Sequence, residues 1–117
     1  MNIFIFHNES SYVVLYHKQI MLHKIKGNIF NTNAQVLVNT VNCVGVMGRG
    51  IALECKLRFP KMFNSYQKFC NQNKIKAGVL QVWKESKPWI LNFPTKIHWR
   101  DPSKFEYLEK GLDKFVK

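Results

Sequence analysis

A chain of 117 residues, 46% hydrophobic and 14% aromatic, has the makings of one folded domain, and that composition excludes intrinsic disorder. No apolar run approaches the roughly 20 residues that a membrane-crossing helix needs; the apolar opening Met1–Phe6 lacks a basic flank and ends at His7-Asn8-Glu9, which excludes a signal peptide and points to the cytoplasm. Eighteen Lys and Arg against seven Asp and Glu give a net charge of +11, a balance that draws polyanions by counterion release unless the lysines merely solvate the surface.

Met1–Phe6 and Ser11–Tyr16 read as two short strands around a polar turn. The first 20 residues are either a hairpin added to a sheet edge or an extension ahead of an original start at Met21. Leu22–Ile25 is the next strand, ending at Gly27-Asn28-Ile29. Val36–Val38 is long enough for one buried strand. Asn39 and Asn42 follow, then glycines at 45, 48 and 50, and Ile51-Ala52-Leu53 opens a helical pattern. That order sets a row of backbone N–H groups at a helix N-terminus, whose partial positive charge suits a phosphate. The spacing G-x-x-G-x-G is neither the dinucleotide fingerprint nor a P-loop. The residues alone leave two readings, a phosphate loop or a tight strand-to-helix connection.

The first helix, 49–57, stops before Phe59-Pro60, and Pro60 suits the first turn of a second helix, 60–73. Phe63, Tyr66 and Cys70 mark its apolar face; Lys61 and Lys68 mark the other. Ala77-Gly78 turns the chain into strands 79–83 and 89–93. These are expected beside the Asn39 strand, which brings the Lys96 loop close to the glycine loop. Ser103-x-x-Glu106 is a capping box, and Phe105, Leu108, Leu112 and Phe115 trace one face of a last helix.

Cysteines 43, 55 and 70 stand far apart, as reduced thiols do. Cys43, beside the glycine loop, is a candidate nucleophile or a small core residue. Histidines 7, 17, 23 and 98 lack ligand spacing, so neither a metal site nor a cofactor is expected.

Two strings carry a resemblance. V-N-T-V-N-C-V-G-V-M-G-R-G-I-A, residues 38–52, resembles the signature of macro domains, which bind ADP-ribose. N-F-P-T-K-I-H-W-R, Asn92–Arg100, resembles the DarG-type branch, antitoxin enzymes that remove ADP-ribose from thymidine in single-stranded DNA. The resemblance implies a three-layer α/β/α fold with a mixed sheet. Residues 1–20 become an N-terminal extension or extra strands, and residues 21–117 a macro domain lacking its last strands and second phosphate loop.

The resemblance also implies a site. Gly45, Val46, Met47, Gly48, Arg49, Gly50 and Ile51 hold the diphosphate, and Asn42 donates to and accepts from the distal ribose, while Asn39 holds the turn. Asn28 stands where the family usually has Asp and accepts the adenine amino group, with the backbone of Ile29 against the ring. Lys96 is the catalytic residue, with Asn42 beside it, attacking the anomeric carbon or engaging the opened ring as a Schiff base. His98, Trp99 and Arg100 contact nucleic acid, with Trp99 either a stacking platform or a plug beneath the last helix. The implied partners are ADP-ribose or ADP-ribosylated single-stranded DNA, and a cognate DNA ADP-ribosyltransferase toxin. Two other readings stay open: an ADP-ribose reader without catalysis, and a basic nucleic-acid-binding module.

Overall fold

The computed structural model describes residues 2–8, 11–16, 19–31 and 35–116. Six strands form one sheet: β1 (Asn2–Asn8), β2 (Ser11–Tyr16), β3 (Gln19–Lys26), β4 (Val36–Val41), β5 (Gln81–Trp83) and β6 (Trp89–Pro94). Their spatial order is β3-β2-β1-β4-β6-β5. β4 runs parallel to both β1 and β6, and the remaining pairs are antiparallel, so the sheet is mixed as expected. Residues 2–16 do not form the edge hairpin that was one reading of them. β1 lies inside the sheet between β2 and β4, and β3 is the edge.

Three helices complete the domain: α1 (Gly50–Arg58), α2 (Pro60–Asn71) and α3 (Phe105–Val116). Side chains alternate across a strand, and in β4 and β6 both faces are buried. Leu37, Val41 and Ile90 join Ile51, Cys55, Met62, Tyr66 and Cys70 of α1 and α2 in the larger core. Val36, Val38, Leu91 and Phe93 form a second cluster on the opposite face, where Phe93 meets Gly111 of α3. Parallel strands covered on both faces read as near-continuous apolar runs, which is why Val36–Val38 and Trp89–Phe93 stood out. β4 extends through Asn39 to Val41 because Asn39 pairs with Asn92 across the strands.

Of the face expected for α3, the side chains of Leu112 and Phe115 lie outside the described residues. Phe105 is 73% exposed and Leu108 36% exposed, whereas Tyr107 and Gly111, four residues apart, are buried. A Cβ built on Gly111 would collide with the Phe93 ring. The ring occupies the volume of the missing side chain, so α3 approaches β6 closely at this point. The helix also begins one residue later than the capping box indicates, since the Lys104 carbonyl accepts from the N–H groups of Tyr107 and Leu108. Among the described residues no helix is long and apolar enough to cross a membrane.

Candidate functional site

β4 and β6 run in the same direction, with Val41 opposite Pro94, so their C-terminal ends emerge side by side. In open α/β sheets, that end is where ligands collect. The pairing continues past both strands: Thr95 N–H donates to the Val41 carbonyl at 3.0 Å, and Cys43 N–H donates to the Ile97 carbonyl at 2.8 Å. These two bonds bracket Lys96. A third comes from the residue just before α3, where Lys104 N–H donates to the Thr95 carbonyl at 2.8 Å. The half-buried Lys96 is therefore held beside the glycine loop by its neighbours' backbone, as the strand arrangement led one to expect.

Asn42 folds that loop. Its amide is 4% exposed, and Oδ1 accepts from Val44 N–H at 3.1 Å, Val46 N–H at 3.3 Å and the Tyr66 hydroxyl at 2.8 Å. Its Nδ2 donates to the Val46 carbonyl at 2.7 Å, which leaves one amide hydrogen for a ligand. The turn-holding role read into Asn39 thus belongs to Asn42. Asn39 instead starts a buried amide ladder across three strands. Its Nδ2 donates to Asn92 Oδ1 at 3.0 Å, Asn92 Nδ2 donates to Gln81 Oε1 at 2.9 Å, and Gln81 Nε2 donates to Ser65 Oγ of α2 at 3.1 Å. Asn92 faces both Asn39 and Gln81 in register. A slip of one residue would break every link, so the ladder fixes how the two strand ends line up.

Within the loop, Gly45, Met47 and Ile51 point inward, while Val44, Val46, Gly48, Arg49 and Gly50 are exposed. Gly45 has φ +86°, and a Cβ there would lie 3.3 Å from Gln67 Cγ, so α2 presses against the loop backbone. Gln67 Nε2 also donates to the Gly45 carbonyl at 3.4 Å. α1 then starts from an extended Arg49 that supplies no side-chain cap, and its first turn holds no acidic residue. The N–H groups of that turn suit an anion.

On the other side, Asp101 closes the 98–101 turn: His98 N–H donates to Asp101 Oδ2 at 3.1 Å, and Asp101 N–H returns to the His98 carbonyl at 3.0 Å. Arg100 N–H donates to His98 Nδ1 at 3.1 Å, which leaves Nε2 as the donor nitrogen of the neutral ring. Trp99 is 42% exposed, so it does not plug the core. The Arg100 guanidinium lies 4.5 Å from its ring centroid, and the His98 ring 5.2 Å from it.

Asn28 is exposed, and its Oδ1 accepts from Phe30 N–H at 2.9 Å, the local turn that asparagine favours. Ile29 is buried in the same cluster as Met47 and Ile51, which puts the 27–29 turn on the glycine-loop side of the core. Burial pushes the Cys43 thiol up to about 11, with Cys70 adding to the shift, and Cys55 up to about 12. A thiol held protonated in this way is a poor nucleophile, and Cys43 is read as a packing residue. Among the described residues no cluster of three or more His, Cys, Asp or Glu is suited to a metal ion.

Tyr66, Gln67, Asn92, Gln81 and Asp101 were not singled out for the site from sequence. Tyr66 left one signal: a tyrosine on an apolar helix face needs a partner for its hydroxyl.

Residues 38–117 match the family model of the macro domain. The chain belongs to the macro domain family. Among curated relatives, this macro domain is 44% identical over 95 residues to the DNA ADP-ribosyl glycohydrolase of Mycobacterium tuberculosis, an alignment covering 78% of this chain and 27% of that protein. It thus spans about a quarter of that relative's length. Among solved structures it is similar to the macrodomain of M. tuberculosis DarG, with a TM-score of 0.73 and 45% identity over 77% of this chain and 62% of that one. It is also similar to Thermosipho africanus DarTG in complex with ADP-ribose, with a TM-score of 0.68 and 31% identity over 75% of this chain and 27% of that one.

Proposed function

We propose that this macro domain binds ADP-ribose and hydrolyses the ADP-ribosyl bond on thymidine in single-stranded DNA, as an antitoxin to a DNA ADP-ribosyltransferase. The observation that carries the reading is Lys96, bracketed by backbone bonds to Val41 and Cys43 at the side of an uncapped glycine-loop helix. The diphosphate takes the N–H groups of Gly48 to Ile51, with Gly45, Val46 and Met47 shaping the approach. The remaining Nδ2 hydrogen of Asn42 meets a hydroxyl of the distal ribose, and the adenine lies toward Asn28 and Ile29.

Lys96 Nζ attacks the anomeric carbon. The glycosidic bond breaks, the base leaves with its electron pair and takes up the proton that the lysine nitrogen gives up, and water then adds at the anomeric carbon as the bond to Nζ breaks, releasing ADP-ribose and restoring the lysine. A net charge of +11, together with Trp99, Arg100 and His98 at the rim, supports a nucleic-acid substrate. An activity of this kind needs a transferase to make the modified base, which is the basis for a cognate toxin. Residues 21–117 are assigned to the macro domain, with β1 and β2 as extra strands set between β3 and β4 of its sheet. The free cysteines 43, 55 and 70 fit work in the reducing cytoplasm.

The test is ADP-ribose release from a thymidine-modified single-stranded oligonucleotide, with Lys96→Ala beside the parent. The expected result is turnover by the parent and a loss of roughly a thousandfold or more in the variant, with ADP-ribose affinity by calorimetry within a few-fold. A parent that binds ADP-ribose without turnover overturns the hydrolase and leaves a reader.

A further inference from the structure

Tyr66 is fully buried on the inward face of α2, and its hydroxyl reaches out of the helix to the glycine loop as well as to Cys70 one turn on. The phenol oxygen lies 2.8 Å from the Asn42 carbonyl and 2.8 Å from Asn42 Oδ1, so one proton is shared between two acceptors on the same residue. Asn42 Oδ1 in turn collects the Val44 and Val46 N–H groups. Those bonds set the path of the backbone leading to Gly48 and the start of α1. The contact spans 24 residues of sequence and joins the core helix to the turn that faces ligand.

We propose that Tyr66 is a positioning residue for the ligand loop: its hydroxyl holds the Asn42 amide in the one orientation that folds residues 43–47. What it positions for rests on the ADP-ribose reading of that loop. Burial raises the phenol well above its ordinary range, with Cys70 adding to the shift, so the hydroxyl keeps its proton and the bond persists at any working pH. The aromatic ring packs with Met62, Ile90 and Cys70, a role phenylalanine fills equally well. The hydroxyl alone carries the positioning.

The experiment is Tyr66→Phe, read in three ways. Amide hydrogen exchange without ligand is expected to quicken about tenfold at Val44 and Val46 and to stay unchanged at Leu37 and Ile90. ADP-ribose affinity, measured by calorimetry well below the melting temperature, is expected to fall about tenfold. In an Asn42→Ala background, Tyr66→Phe is expected to add no further loss, because the two act as one unit. Parent-like exchange at Val44 and Val46, or losses that add in the double variant, would overturn the proposal. Protection lost at Leu37 and Ile90 as well would also count against it, since the hydroxyl would then support the whole core. If the parent itself fails to bind ADP-ribose, the ligand reading falls, and the exchange at Val44 and Val46 still decides whether Tyr66 positions the loop.

Discussion

Two loops meet at the ends of β4 and β6, and they are held in different ways. Residues 42–50 are organised from within by a buried side chain, Asn42, which is itself braced from α2 by Tyr66. Residues 95–101 are organised by backbone bonds at Thr95 and Ile97 and by one exposed-side turn closed by Asp101. The first loop inherits its shape from the core; the second is attached to its neighbours and leaves Trp99 and Arg100 at the surface. A rigid seat suits a diphosphate of fixed geometry. An exposed aromatic with a cation suits a strand whose bases vary.

The sharpest way to break this contrast is Asn42→Ala. It removes the acceptor for three donors at once, and a buried donor left unsatisfied costs about 1–3 kcal/mol. The expected outcome in calorimetry is ADP-ribose binding weakened at least about a hundredfold, while an oligonucleotide without ADP-ribose still binds. Trp99→Ala is the converse and smaller test. Affinity for that oligonucleotide should fall by about 1–3 kcal/mol in a fluorescence titration, with ADP-ribose affinity unmoved. A loss in both assays from either variant would show that the loops are one unit.

An effect on stability, separate from binding, is expected from alkaline pH. The thiols of Cys43 and Cys55 ionise at about 11 and about 12 in the fold, against an ordinary value of 9.0. Their folded pKa is raised, so their contribution to stability is complete below pH 9 and is lost as pH rises through 11 and 12. Denaturant midpoints measured between pH 8 and 11 should drift downward. Loosening should reach the Cys43 loop before the 98–101 turn, as exchange at Val46 compared with Asp101 would reveal.

The central run of strand, glycine loop and helix was legible because strand composition, glycine spacing and an unfavourable proline all pointed one way. The place of β1 stayed open because periodicity tells a strand from a helix but cannot name its neighbour. The end of β4 was set too early, since asparagine disfavours strands and its partner Asn92 lies 53 residues away. The site residues were named from motifs, and the geometry assigns them finer roles: Asn42 as the folder of its own loop, Trp99 as a surface ring. Tyr66 was legible only as an apolar-face residue, because a hydrogen bond between a helix and a distant loop leaves no local pattern.

α3 reaches from the second core cluster to the candidate site. Its seat on the sheet depends on one absent side chain, at Gly111, through which the Phe93 ring enters the helix surface. Immediately before the same helix, the Lys104 N–H grips the Thr95 carbonyl next to Lys96. The helix therefore works as a lever with its fulcrum at Gly111 and its tip at the candidate catalytic lysine. A methyl group added at the fulcrum would tilt the tip, and the effect would surface as a misaimed amine far from the substitution itself.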